Sequence, residues 1–189
     1  LIFIRSLVVA MMVAAPAWAQ APFSVINLQA HVTGDIGPSQ LHPNWQSGRG
    51  GALGITMPFY AGDFEVGATV HRYAADTDVP GFAALWIYAG WGAHYTWQNR
   101  VSVSSTARLG NYRMSFDPSA DAFDGGETES ELVASVGGGL SLRVIGPLSI
   151  RGRIDRLYVQ TYPALKMWYA SVGLSVHIQA GNGWINFFK

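Results

Sequence analysis

The chain has 189 residues with 12 basic and 12 acidic side chains, and neither its balanced charge nor its length suggests more than one domain or a nucleic-acid footprint. It has no cysteine, which excludes disulfides and thiolate metal centres. Only 13% of the residues are charged and lysine occurs only at 166 and 189, short of the roughly a quarter to a third charged residues of a solvated surface.

At the amino end, Arg5 precedes an apolar run from Leu7 to Ala15, and Ala17-Trp18-Ala19 offers a small-x-small cleavage site. This is the layout of a secretory signal peptide over residues 1–19, with cleavage near Ala19 and a mature chain from Gln20. The run is shorter than the ~20 residues of a spanning helix; the competing reading is an uncleaved anchor. No other long apolar run occurs, so a membrane form of the chain would have to cross as strands.

Eight segments then alternate with a period of two, the signature of strands with unlike faces. The first, about Phe23 to Thr33, sets Ile26, Leu28, Ala30 and Val32 against Asn27, Gln29, His31 and Thr33. The second, Gly51 to Met57, sets Leu53 and Ile55 against Gly54 and Thr56, and the third sets Phe64, Val66, Ala68 and Val70 against Glu65, Gly67, Thr69 and His71. In the fourth, Leu85, Ile87, Ala89, Trp91, Ala93, Tyr95 and Trp97 oppose Trp86, Tyr88, Gly90, Gly92, His94 and Thr96. The fifth, Val101 to Leu109, opposes Ser102, Ser104, Thr106 and Arg108 to its apolar set. The sixth, Glu131 to Arg143, is apolar at Leu132, Ala134, Val136, Leu140 and Leu142. The seventh, from Leu148 to Asp155, puts Leu148, Ile150 and Ile154 opposite Arg151, Arg153 and Asp155. The eighth, Trp168 to Ile178, sets Val172, Leu174 and Val176 against Tyr169, Ser171 and Ser175.

The connections alternate in length. Those at Tyr60 to Asp63, Gln98 to Arg100 and Ile145 to Pro147 are tight, whereas Gly34 to Arg49, Ala75 to Gly81, Tyr112 to Glu127 and Val159 to Lys166 are longer. Outer-membrane barrels join their strands by short periplasmic turns and longer outside loops, and an amino terminus in the periplasm places every long connection outside. The expected fold is all-β: an eight-stranded antiparallel up-and-down transmembrane barrel over 20–178, with a short tail over 179–189.

Alternation alone also fits a soluble lipocalin-like barrel, whose apolar face points inward around an apolar ligand. Three features favour lipid outside. The polar faces are Ser, Thr and Gly with a few clustered charges, suited to a narrow interior. Trp91, Tyr95 and Trp97 crowd one end of the fourth strand and Trp168 opens the eighth at the other, as interface girdles do. Arg72 and Arg156 enter the apolar face only at the outer ends, where lipid phosphates are available.

By this pattern the chain resembles the small OmpA/OmpX-type outer-membrane barrels over its mature length. The resemblance implies an up-and-down barrel in the bacterial outer membrane, delivered by the outer-membrane assembly machinery, with roles in that class ranging from anchoring and adhesion to lipid A modification. Two departures stand out: Phe187-Phe188 precede Lys189 beyond the eighth strand, and no carboxy-terminal cell-wall-binding domain is expected, so that role of the class is not carried over.

Arg108, Glu131, Arg143, Arg151, Arg153 and Asp155 are expected to face inward and form an ion-pair network, because buried charges must be paired. Trp86, Tyr88 and Tyr169 point inward near the outer mouth, either as packing or as the lining of an acyl-chain pocket. His31, His71 and His42 lie near Ser39, Ser47, Asp35 and Asp76, yet no nucleophile–His–acid spacing or metal motif is present. Asp117, Asp121, Asp124, Glu127 and Glu129 make an acidic third loop that matches no calcium-loop spacing. No catalytic residue, cofactor or metal is assigned. The leading expectation is a non-enzymatic barrel whose loops, with Trp45, contact surface lipid or an extracellular partner; the alternative is a lipid A acyltransferase- or deacylase-like barrel.

Overall fold

The computed structural model describes residues 23–36, 41, 44–75, 79–118 and 128–179; the expected signal peptide, nearly all of the tail, and Ser39, His42, Asp76, Asp121, Asp124 and Glu127 lie outside them. Eight strands, β1 (Val25–Asp35), β2 (Arg49–Phe59), β3 (Gly62–Tyr73), β4 (Phe82–Trp97), β5 (Val101–Phe116), β6 (Thr128–Ile145), β7 (Leu148–Val159) and β8 (Leu165–Gln179), follow one another in chain order. Each pairs antiparallel with its sequence neighbour, and β8 returns to β1 to close the barrel. Closure removes both sheet edges, so every strand has two partners.

The tight turns form where their residues accept left-handed backbone. Gln98 and Asn99 have φ of 49° and 54°, and the Arg100 amide donates to the Trp97 carbonyl across 3.1 Å. Two consecutive positive φ angles make the primed hairpin turn whose twist matches that of the flanking strands. In the β6–β7 turn a single left-handed residue, Gly146 with φ of 51°, is followed by Pro147, whose ring holds φ negative.

The wall is inside-out over most of its height. Leu53, Val136, Leu109 and Ile87 are exposed on the outside, Val136 to 61%, while Glu65 inside is 2% exposed. Gln29, Thr56, Thr69, Ser135, Ser149 and Ser175 are buried polar residues of the interior. Toward the end bearing the long connections, called the outer end below, the polarity reverses. There the inward positions are Tyr73, Phe82, Trp86, Tyr112, Met114 and Met167, all in one hydrophobic cluster, and the outward positions include Arg72, Asn111, Arg113 and Lys166, all exposed.

This reversal corrects the expected boundaries. The fifth strand does not stop at Leu109 but runs to Phe116, and the sixth starts at Thr128 rather than Glu131. Tyr112, expected to begin a loop, is a fully buried strand residue at 1% exposure. The period of two continues through these segments, but the apolar residues change face, so a reading that follows one face ends too early.

Candidate functional site

The midpoint of the interior is a charged quartet drawn from three parts of the wall. Glu65 of β3 accepts from Arg108 Nη2 of β5 at 3.0 Å and from Arg153 Nη1 of β7 at 3.2 Å. Asp155 of β7 pairs with Arg108 Nη1 at 3.1 Å and Arg153 Nη2 at 3.3 Å. All four side chains are over nine-tenths buried. Thr106 accepts a further bond from Arg153 Nη2, and Arg108 lies over the Tyr88 ring, 4.7 Å from its centroid. Two carboxylates against two guanidiniums, with planar donors aimed at both acids, satisfy the pairing that burial demands.

Glycine makes the room. A Cβ at Gly137 would stand 1.9 Å from Asp155 Oδ1, and one at Gly67 would stand 2.5 Å from the Tyr88 hydroxyl. The small residues of the polar faces are therefore the space into which the large ones of neighbouring strands fold.

Of the six charges expected to cluster, Arg108, Arg153 and Asp155 do. Arg151 lies beside them and donates to Ser104 Oγ at 3.2 Å. Glu131 and Arg143 stand apart. Arg108 is paired in register with Ser135 and Glu131 with Tyr112, four residues or about 13 Å further along the strand. Arg143 is exposed at the opposite end, beside the β6–β7 bulge. The member missing from the sequence reading is Glu65. The charge count held the signal: three inward arginines at mid-strand with Asp155 alone leave an excess that another inward carboxylate must balance.

Trp86, Tyr88 and Tyr169, the candidate mouth pocket, are all buried. Trp86 and Tyr88 touch with ring centroids 4.5 Å apart, and Tyr169 stacks on His71 at 4.3 Å. The Tyr169 hydroxyl is bonded to that of Tyr73 and lies 3.4 Å from that of Tyr112. The space left between this layer and the quartet is a cavity of about 30 Å³, lined by His31, His71, Trp86, Arg108, Arg153 and Tyr169 among others. That is room for a water or two, far below the hundreds of Å³ of a small-molecule pocket.

The histidines have interior partners. His71 Nε2 bonds Thr33 Oγ1 at 2.6 Å, and His31 Nε2 lies 3.4 Å from Gln29 Oε1. Of the acidic loop, Asp117 pairs with Arg72 at 3.5 Å, and Glu129 is a residue of β6. Among the described residues no three acidic or histidine groups gather as metal ligands. The girdle candidates Trp91, Tyr95, Trp97 and Trp168 stand on the outer wall, exposed to between 41% and 73%, and Arg156 lies over the Trp168 ring.

No protein-family model matches the chain, and no curated protein matches it. Solved structures do. Neisserial surface protein A superposes with a TM-score of 0.62 at 17% identity, covering 82% of this chain and 97% of that one. The outer membrane protein OprG of Pseudomonas aeruginosa gives 0.58 at 10% identity, covering 85% and 98%. Ail, the attachment invasion locus protein of Yersinia pestis, gives 0.53 at 14%, covering 82% and 97%. At these identities the likeness is one of fold, and it agrees with the closed order of strands and the apolar outer wall: the chain has the fold of the small eight-stranded outer-membrane barrels.

Proposed function

We propose that this chain is an integral protein of the bacterial outer membrane, non-enzymatic, and that its outer end meets lipid headgroups or an extracellular partner. The observation that carries the reading is the inverted wall. A belt of exposed Leu, Ile and Val around a polar, ion-paired interior is unfavourable in water, where contiguous apolar patches of this extent are rare, and favourable in hydrocarbon. The small interior cavity supports the non-enzymatic part, since an acyl chain has no room beside Trp86, Tyr88 and Tyr169.

Membrane fractionation in Sarkosyl, read with heat-modifiable gel mobility, tests the location. The barrel is expected in the insoluble fraction and to migrate differently before and after boiling; a detergent-independent soluble monomer would refute the proposal. Lipid A mass spectra with and without the gene should show the same acylation pattern.

A point substitution tests the wall directly. Leu109 faces outward at the middle of β5, between Ala89 and Ala134 and beside inward Arg108. Leu109→Arg should cost about 2–4 kcal/mol in urea titrations of bilayer-embedded protein, because a guanidinium near the bilayer midplane is poorly solvated. A hydrated outer wall would tolerate it within about 0.5 kcal/mol.

A further inference from the structure

Charge on the strands is sorted by face. The acids Asp35, Asp63, Glu65, Glu129, Glu131 and Asp155 all take inward positions in the register. The outward positions hold Arg49, Arg72, Arg113, Arg156 and Lys166 and, among the described strand residues, no acid. All five outward cations are exposed; Arg49, Arg72, Arg113 and Lys166 lie toward the outer end, and Arg156 sits lower, in register with Val136.

Three of them form one patch. Arg49 and Arg72 are direct cross-strand partners, an arrangement of like charges that is unfavourable unless an anion lies between or beside them. Arg113 follows two strands on, linked through Ala83 and Leu85, which pair with Arg72 and Arg113 respectively. Two strand spacings are about 10 Å. Asp117, just past β5, is at 3.5 Å from Arg72 and offsets one of the three charges. Immediately below the patch the outward residues are Leu53, Val70, Ile87 and Leu109, the start of the apolar belt.

We infer that Arg49, Arg72 and Arg113 form a binding site for the phosphate groups of an outer-leaflet glycolipid, its acyl chains lying on the apolar belt beneath. The inference rests on the outer-membrane reading above and names the lipid chemistry the wall would meet. Guanidinium forks match phosphate oxygens in pairs, and a ligand that satisfies both the cations and the belt must be anionic at its head and apolar below it. A free phosphate would leave the belt unused. A second copy of the chain would set the same strand-borne cations against its own.

The test uses the full chain in phosphatidylcholine nanodiscs doped with either bis-phosphorylated lipid A or the same lipid stripped of both phosphates, with retained lipid counted by native mass spectrometry. Wild type should retain the phosphorylated form about tenfold better, as one or two charge-assisted hydrogen bonds provide. The R49Q/R72Q/R113Q variant should lose most of that preference. R100Q/R143Q, which removes arginines from the opposite end, should keep it. Equal retention of the two lipids by wild type, or equal loss in both variants, overturns the site. If the triple variant does not fold, the wild-type ratio and the single R113Q variant decide. Failure of wild type to enter any nanodisc overturns the membrane reading itself, a result distinct from entry without preference.

Discussion

Glu65→Gln is expected to destabilise the folded barrel by about 3–5 kcal/mol, the cost of leaving a buried ion network without one of its members. The substitution keeps the side chain's shape and removes its charge, so the loss is electrostatic. Arg108 and Arg153 both donate to this carboxylate, and both are almost wholly buried. With glutamine, two guanidiniums share the single negative charge of Asp155, and neither can reach bulk water. Urea titration in detergent micelles, followed by the shift in gel mobility between folded and unfolded forms, measures the effect. A change under about 1 kcal/mol, typical of hydrated pairs, would mean that water reaches the quartet. Replacing all four members by apolar residues of similar volume should be far milder than the single change, because burial then has no charge to penalise.

Tyr169→Ala should cost about 3–5 kcal/mol, as large-to-small changes of buried aromatics do. Its ring packs on His71, and its hydroxyl meets those of Tyr73 and Tyr112 and the Met167 sulfur at 3.6 Å. The alanine variant removes the centre of the layer that separates the small interior cavity from the outer mouth. It should therefore also let ions reach the quartet from outside, raising single-channel activity in planar bilayers above that of wild type. Tyr169→Phe separates the two contributions. It keeps the ring and gives up the hydroxyl contacts, at about 1 kcal/mol for each hydrogen bond lost, and should leave conductance unchanged. An alanine variant as stable and as silent as wild type would show that neighbouring rings close over the gap.

The strand count, the order of strands and the outward apolar set were legible because each strand's middle alternates without interruption and each short turn carries its own chemistry, as at Gln98-Asn99. The outer ends were not. From Asn111 onward the apolar residues occupy the opposite face, since Tyr112 and Met114 belong to the inward hydrophobic cluster while Leu109 is exposed on the outer wall. A single hydrophobic pattern cannot represent a wall whose apolar face changes side along its height. Arg108, Arg153 and Asp155 could be read as inward by parity alone. Their partner Glu65 lies 43 residues from Arg108 in sequence and is brought to it by barrel curvature, a property of closure that no local pattern encodes. The same holds for the contact between Tyr73 and Tyr169, which joins β3 to β8 across the lumen.

In the proposed membrane setting, the four outward cations of the outer end, Arg49, Arg72, Arg113 and Lys166, would decide how permanently the protein stays where it is put. Sliding the barrel back out would drag each of them through hydrocarbon at about 2–4 kcal/mol near the midplane. Together they would make a latch, set once the outer end has crossed, against which thermal motion has little leverage. Orientation would then be retained for the lifetime of the cell envelope by the same side chains that decorate its rim.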